Sequence, residues 1–326
     1  MDLVLNTFGT SLNRDNQGFV ITHKDGKQRL PPDGIKSIQI SRGAQITSDA
    51  VLLAIEKEIE VLFLDNTGKP VGRVWSPKFG SVSTIRKGQL NFTFSGDAVE
   101  WIKGVVRSKI ENQQALLLTF KPTNSEIEKT VEKNIRRLED YRTKIANLEG
   151  QVIPDVAPQL RGWEGLSSKI YFNTLNLFLP EEFQFEQRSQ HPAYDVVNAM
   201  LNYGYGLLYG KIEGSMIKAG IDPYIGVLHR DDYNRPVLVY DVIERYRIWV
   251  DYIVYTLVLQ GVINDDMYSV REDKSFWLEG LGRRILIQSL NDYLEDLIVI
   301  KTLSRSRQNH LFLYIQELAQ LFKTFA

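Results

Sequence analysis

The period of the apolar positions changes along the chain. In residues 1–75 they fall in short β-rich runs, Leu3-Val4-Leu5, Phe19-Val20-Ile21-Thr22, 35–40 and Val61-Leu62-Phe63-Leu64. Turn-forming stretches separate these runs, at Asn16-Gln17-Gly18, Lys24-Asp25-Gly26-Lys27 and Asp65-Asn66-Thr67-Gly68. Asp25-Gly26 predicts a hairpin. Thr47 or Ser48 can cap one helix over 49–58, on which Val51, Leu52 and Ile55 share a face. Beyond residue 97 the apolar positions step at threes and fours, predicting helices over 97–120, 126–148, 163–178, 194–211, 237–260, 276–290 and 304–325. Between them, 76–96 carries Pro77, Gly80, Ser81, Ser83, Gly88 and Gly96 without sustained period and reads as a connector. The expected fold is α+β: a small, sandwich-like β-rich domain over 1–75, a linker over 76–96, and a larger, mostly α-helical domain over 97–326.

Composition narrows the class. With 43% hydrophobic and 24% charged residues in 326, the chain is ordinary globular protein, which excludes wholesale disorder. Cysteine is absent, which excludes disulfides, thiolate zinc sites and cysteine nucleophiles and fits a reducing compartment. The first residues lack a basic segment followed by an apolar one, so no secretory signal is expected. The apolar stretch 252–263, interrupted by Gln260 and Gly261, is far short of the ~20 residues a membrane helix needs. The expected location is cytoplasmic. Thirty-nine basic against 40 acidic residues leave a net charge of −1, so nucleic-acid contacts would have to come from local clusters. Arg245 with Arg247, Arg283-Arg284, and Lys301 with Arg305 and Arg307 are the candidates, each also readable as a solvated face.

No phosphate-binding loop, dinucleotide glycine fingerprint, His-Glu-x-x-His helix or Gly-x-Ser-x-Gly elbow occurs. Four side chains stand out instead. Asp241 and Glu244, three apart in an otherwise apolar helical run, share a helix face where like charges repel by ~0.2–0.5 kcal/mol, a repulsion that a divalent cation would turn into attraction. The same run can also be read as a solvated face pairing Asp241 with Arg245 and Arg247 with Asp251. His229 closes a segment shaped by Gly220, Pro223 and Gly226, twelve positions before Asp241, and is either a structural histidine or a ligand. Glu164, beside Trp163 at what reads as a helix start, is a ligand or a first-turn acid favoured by the helix dipole.

Together these stretches resemble the CRISPR-associated spacer-acquisition integrase and endonuclease family, the near-universal first member of the CRISPR-associated proteins. The resemblance spans essentially the whole chain: Phe63-Leu64-Asp65-Asn66-Thr67-Gly68 at the end of a β-rich domain, then Trp163-Glu164-Gly165 with Tyr171-Phe172, then Asp195-Val-Val-Asn198-Ala-Met-Leu-Asn202-Tyr-Gly-Tyr205. Its most specific motifs are Gly220-Ile-Asp-Pro-Tyr-Ile-Gly-Val-Leu-His229 and Leu238-Val-Tyr-Asp241-Val-Ile-Glu244-Arg245-Tyr-Arg247.

The resemblance implies that Glu164, His229 and Glu244 are metal ligands for Mg²⁺ or Mn²⁺, with Asp241 in the catalytic group. It also implies that Asn198, Asn202 and Tyr205 point toward the site as DNA contacts, alongside Arg245, Arg247, Arg283 and Arg284; the first three can equally be satisfied interior polar groups. The implied activity is insertion of short foreign double-stranded DNA fragments into a CRISPR repeat array by transesterification. The implied partners are a second copy of the chain, joined through the β-rich domain, and a smaller CRISPR-associated adaptation protein, in a prokaryotic cytoplasm. A structure-selective nuclease for branched DNA and a non-catalytic DNA-binding scaffold are the alternatives.

Overall fold

The computed structural model describes residues 2–35, 37–65, 70–74, 83–229, 235–300 and 302–326. The expected turn at 66–68, most of the early connector and Lys301 lie outside them. Two compact units, Met1–Gly80 and Ser81–Ala326, divide the chain.

The first unit contains β1 (Asp2–Leu5), β2 (Ser11–Asp15), β3 (Gly18–His23), β4 (Gly26–Leu30), β5 (Ser37–Ser41), β6 (Gln45–Ile46), α1 (Ser48–Glu56), β7 (Glu60–Leu64) and β8 (Pro70–Arg73). One sheet runs β1-β5-β7-β8, parallel except for the antiparallel β7/β8 pair; the other runs β4-β3-β2-β6. The β3/β4 hairpin turns at Asp25-Gly26, with Gly26 at φ 141°, a region closed to most L residues. Alternate residues of both sheets, among them Leu5, Leu12, Phe19 and Ile38, pack with Ala50 and Leu53 of α1 into a single core. Thr47 caps α1 by accepting from Ala50 N.

In the second unit the connector reading fails over α2 (Ser83–Phe92), which is helical. Ile85, Gln89 and Phe92 form its buried stripe, and the backbone of Phe322 lies so close to Gly88 that no Cβ would fit. The glycine that reads as a breaker is a packing device. There follow α3 (Gly96–Thr119), α4 (Ser125–Ala146), α5 (Ile153–Asn176), α6 (Val196–Lys218), α7 (Val237–Ile243) and α8 (Arg247–Leu259). After these come a hairpin of β9 (Tyr268–Val270) and β10 (Phe276–Leu278), then α9 (Gly280–Glu295), a hairpin of β11 (Leu297–Ile300) and β12 (Leu303–Ser306), and α10 (Arg307–Lys323). The packed pairs that matter below are α3 against α4, α5 and α8, and α6 against α7, α8 and α10. No described helix is long and apolar enough to cross a membrane.

Four boundaries depart from the periodicity. α5 starts ten residues before Trp163, because Asp155 accepts from the Gln151 and Val152 amides and Pro154 falls in the first turn, where a missing N–H is harmless. Glu164 is therefore a mid-helix residue. The expected helix over 237–260 is two, since the Arg245 carbonyl accepts from Asn112 Nδ2 (3.0 Å) while Trp249 N turns to Tyr246 O. Phe276 and its two followers pair with β9 as a strand. Leu303 to Ser306 likewise form a strand, and Ser306 then caps α10 by accepting from Asn309 N.

Candidate active site

Lys109 of α3, Glu164 of α5, His229 and Glu244 line one cavity of about 630 Å³ within the helical unit. Each is delivered by a local device. Gly220, at φ 81°, ends α6 in a left-handed cap in which Ile221 N bonds Met216 O and Gly220 N bonds Ile217 O. The loop that follows is held by Gln89 of α2, which donates to the carbonyls of Asp222 (2.6 Å) and Ile225 (3.1 Å) and accepts from Asp222 N (3.0 Å). Gly226 permits a close turn, since a Cβ there would lie 2.8 Å from Val237 Cγ2.

The loop ends on Asp241. This carboxylate, only 1% exposed, accepts from the backbone amides of Val227 (2.7 Å), Leu228 (3.1 Å) and His229 (3.1 Å). Its Oδ1 also lies 2.7 Å from His229 Nδ1. A carboxylate only accepts, so Nδ1 carries a proton, and Nε2 is the nitrogen that offers a lone pair when the ring is neutral. Burial alone would lower the imidazole pKa; the bond to Asp241 and its charge outweigh that and hold it above the ordinary value. Asp241, expected among the catalytic group, is thus committed to shaping the loop and orienting His229: it is a positioning residue.

Glu244 begins the turn between α7 and α8. Its Oε1 accepts from Arg247 Nε (2.8 Å), and its buried Oε2 is ion-paired with Lys109 Nζ at 2.5 Å. Burial would raise this carboxyl; Arg247 and Lys109 together outweigh it and bring the group down to about 2. Lys109 also ion-pairs with Glu164, which in addition accepts from Ser168 Oγ (3.0 Å). Burial works against the Lys109 ammonium, yet Glu244 and Glu164 hold its pKa above the usual lysine value.

As the side chains stand, no three His, Asp or Glu residues among those described are close enough together to hold a metal ion, because the ammonium of Lys109 is seated between the two carboxylates. The donor set nevertheless fits a hard or borderline divalent cation: two carboxylates converge on one positive charge, and the imidazole of His229 lines the same cavity.

A second buried cluster borders the same cavity. Asp251 accepts from Tyr171 Oη (2.8 Å) and from Tyr205 Oη, and its carboxyl is raised to about 6 because burial outweighs those bonds and the charges of Arg188 and Arg247. The expected pairs Asp241–Arg245 and Arg247–Asp251 give way to Asp241–His229 and Arg247–Glu244.

The polar stripe of α6 faces inward. Asn198, fully buried, accepts from Arg188 and from Ser189 N and donates to Gln187 O. Asn202 accepts from Arg188 Nη2 (2.6 Å) and donates to Ser189 O and Gln190 O. These two residues tie down the 187–190 loop, Tyr205 donates to Asp251, and Arg247 lies over the Tyr205 ring at 4.7 Å, contacts that match the reading of the stripe as satisfied interior polar groups. Arg245 lies 4.8 Å from the Tyr314 ring, Arg283 is half-buried, and Arg284 is exposed. Arg305 is exposed on β12, and Arg307 pairs with Asp296.

The family model of CRISPR associated protein Cas1 matches residues 3–292. The chain belongs to that family. A CRISPR-associated endonuclease Cas1 of Archaeoglobus fulgidus is 32% identical over 310 residues, which cover 90% of this chain and 88% of that relative. Among solved structures, a casposase bound to an integration product superposes with a TM-score of 0.83 at 21% identity, covering 99% of this chain and 90% of the other. A Cas6-RT-Cas1–Cas2 complex superposes with a TM-score of 0.81 at 22% identity, covering 99% of this chain and 35% of that one. At these identities the structural likeness is one of fold.

In this Cas1-family chain, pattern reading missed Gln89, Lys109 and Arg188, and read Asp251 only as part of a solvated face. Lys109 had a signal: it interrupts the apolar stripe of Ile102, Val106, Ile110 and Leu117 on α3, where a charge needs a buried partner. Gln89 had none, since its role depends on a loop 133 residues away.

Proposed function

We propose that this chain is a metal-dependent DNA integrase and endonuclease that joins short DNA fragments to a CRISPR repeat by transesterification. The observation that carries the reading is the common cavity of Glu164, His229 and Glu244, with His229 held by Asp241 so that Nε2 is its free donor. The family's endonuclease members support the class of reaction.

In this reading Glu164, Glu244 and His229 hold Mg²⁺ or Mn²⁺. A bound divalent ion supplies charge stabilisation at the phosphate and alignment of the attacking oxygen. The protein supplies the rest. Asp241 fixes the imidazole tautomer, and Arg247 holds Glu244 from the side away from Lys109. Lys169, exposed on the cavity rim, and Arg284, exposed on α9, would in this reading meet backbone phosphates, which set most of the affinity for DNA. An incoming 3′-hydroxyl gives strand transfer; water at the same position gives cleavage.

Two strands must be joined, so two sites are needed, and we assign dimerisation to the β-rich unit. β4 and β1 end their sheets, and an end strand is protected by pairing or covering. Removing residues 1–80 should give a monomer by light scattering; a truncated chain that still dimerises contradicts this assignment. The smaller adaptation protein completes the assembly in this reading.

The test of the activity is a strand-transfer assay with a 3′-hydroxyl duplex, a supercoiled repeat-bearing plasmid and Mn²⁺. His229→Ala and Glu164→Gln should fall to background while duplex binding and thermal melting stay close to the wild type. Full integration by either variant refutes the reading.

A further inference from the structure

We propose that Lys109 is an internal counter-ion which a divalent metal displaces, its ammonium leaving the place between Glu164 and Glu244 and swinging into the adjoining cavity. The inference rests on the reading of Glu164, His229 and Glu244 as metal ligands and adds to it the group that competes for their charge.

Three observations carry it. The first is where the ammonium sits. Lys109 is only 7% exposed, and its Nζ pairs with both carboxylates at once, in the place where their charges converge. A divalent ion bound by the same two carboxylates would stand beside that ammonium, and two cations at such range in a shielded site repel strongly. The second is the closeness of the contact. Glu244 Oε2 is buried and lies 2.5 Å from the Lys109 ammonium, so an ion taking this oxygen has to take the ammonium's place. The third is an exit. Lys109 lines the cavity of about 630 Å³, and a four-carbon stem lets the head swing while its root stays packed on α3.

Lys103, one and a half turns earlier on the same helix, marks the contrast. It is as buried as Lys109, but its partner Glu100 is 72% exposed, so its ion pair is with a surface acid. Lys109 reaches inward, to two acids brought from α5 and the α7–α8 turn. Unpaired, those acids would repel each other across a shielded gap; the lysine lets the fold form before metal arrives.

The test uses full-length protein and Mn²⁺ alone, without DNA. Lys109→Met should melt at a lower temperature than the wild type when stripped of metal, and Mn²⁺ should raise its melting temperature by more. By calorimetry its Mn²⁺ affinity should be tighter by about tenfold, equivalent to ~1.4 kcal/mol of ion pairing that no longer has to be broken. In the wild type, acylation of Lys109 by an amine-reactive reagent, read by mass spectrometry, should rise several-fold on adding Mn²⁺, while Lys103 stays unchanged. If Lys109→Met does not fold without metal, the labelling of the wild type decides.

Glu164→Gln and Glu244→Gln separate the two layers of the argument. If neither weakens Mn²⁺ binding, the metal-site reading falls and this inference with it. If both weaken it, yet Lys109→Met binds Mn²⁺ no more tightly or Lys109 labelling ignores Mn²⁺, the metal site stands and the displacement is wrong.

Discussion

The two units handle charge in opposite ways. In the β-rich unit, ion pairs such as Arg14–Glu56 (3.7 Å) lie at the surface, their side chains 40% and 56% exposed, and the core of two sheets and α1 is apolar. Its most shielded described pair, Arg73–Glu60 (3.0 Å), bridges the neighbouring strands β7 and β8. In the helical unit, Lys109, Asp241 and Asp251 are buried, and Glu244 and Arg247 stand beside them. Taking an ion out of water costs several kcal/mol, and its partners repay that only with good geometry. Apolar packing accounts for most of the first unit's core; nothing in packing requires the ionic cluster of the second. That cluster is where the proposed chemistry would sit.

The comparison is broken most easily at Asp241. Asp241→Ala leaves three backbone amides and His229 without their acceptor, and should destabilise the protein by ~3–5 kcal/mol in urea unfolding. Arg14→Ala, at a surface pair, should change stability by less than ~1 kcal/mol. Equal effects would mean that the buried cluster is no more consequential than surface pairing. The milder Asp241→Asn keeps an acceptor for the loop but can present N–H to His229. Melting near the wild type with strand transfer reduced ~10–100-fold is expected, as for other orienting partners of metal-bound histidines.

Asn198→Ala comes next, at about 1–3 kcal/mol, because Arg188 and the 187–190 loop lose buried partners. The dependence of DNA affinity on salt should be unchanged, since Asn198 meets no phosphate in this account. Arg284→Gln should do the reverse, leaving melting unaltered while flattening the slope of log affinity against log salt by ~1. If Asn198→Ala alters the slope and leaves the fold intact, the inward reading of that stripe is wrong.

A smaller effect sharpens the contrast by pH. Asp251, at about 6 in the folded protein against an ordinary 3.8, keeps its proton where the unfolded chain has released it. Its contribution to stability is therefore lost as pH rises from 3.8 through about 6. Asp251→Asn removes this titration, so the melting temperature of the variant relative to the wild type should improve between pH 4 and pH 7. A constant difference across that range would show that Asp251 does not ionise there.

Pattern reading reached the broad fold because both units obey their periods: the β runs around Phe19 and Val61, and the helix expected over 126–148, stand where the apolar spacing puts them. It failed where a distant partner overrides local preference. Gly88 reads as a breaker until the Phe322 backbone is seen against it, and Asn112 pulls the Arg245 carbonyl out of what would be one continuous helix. The site follows the same rule. Glu164, His229 and Glu244 stood out as residue types in shaped segments, and resemblance grouped them. Lys109 belongs to the same cavity but carries the sign of charge opposite to a metal ligand, so a search for ligands passes over it.

The central claim, that Glu164, His229 and Glu244 share one divalent ion, is tested most directly by anomalous diffraction from crystals of the protein soaked in Mn²⁺. One anomalous peak within ~2.0–2.2 Å of a carboxylate oxygen of Glu164, of His229 Nε2 and of a Glu244 oxygen is the predicted result. A peak elsewhere, or none at saturating Mn²⁺ with Lys109 still between the two carboxylates, would contradict it.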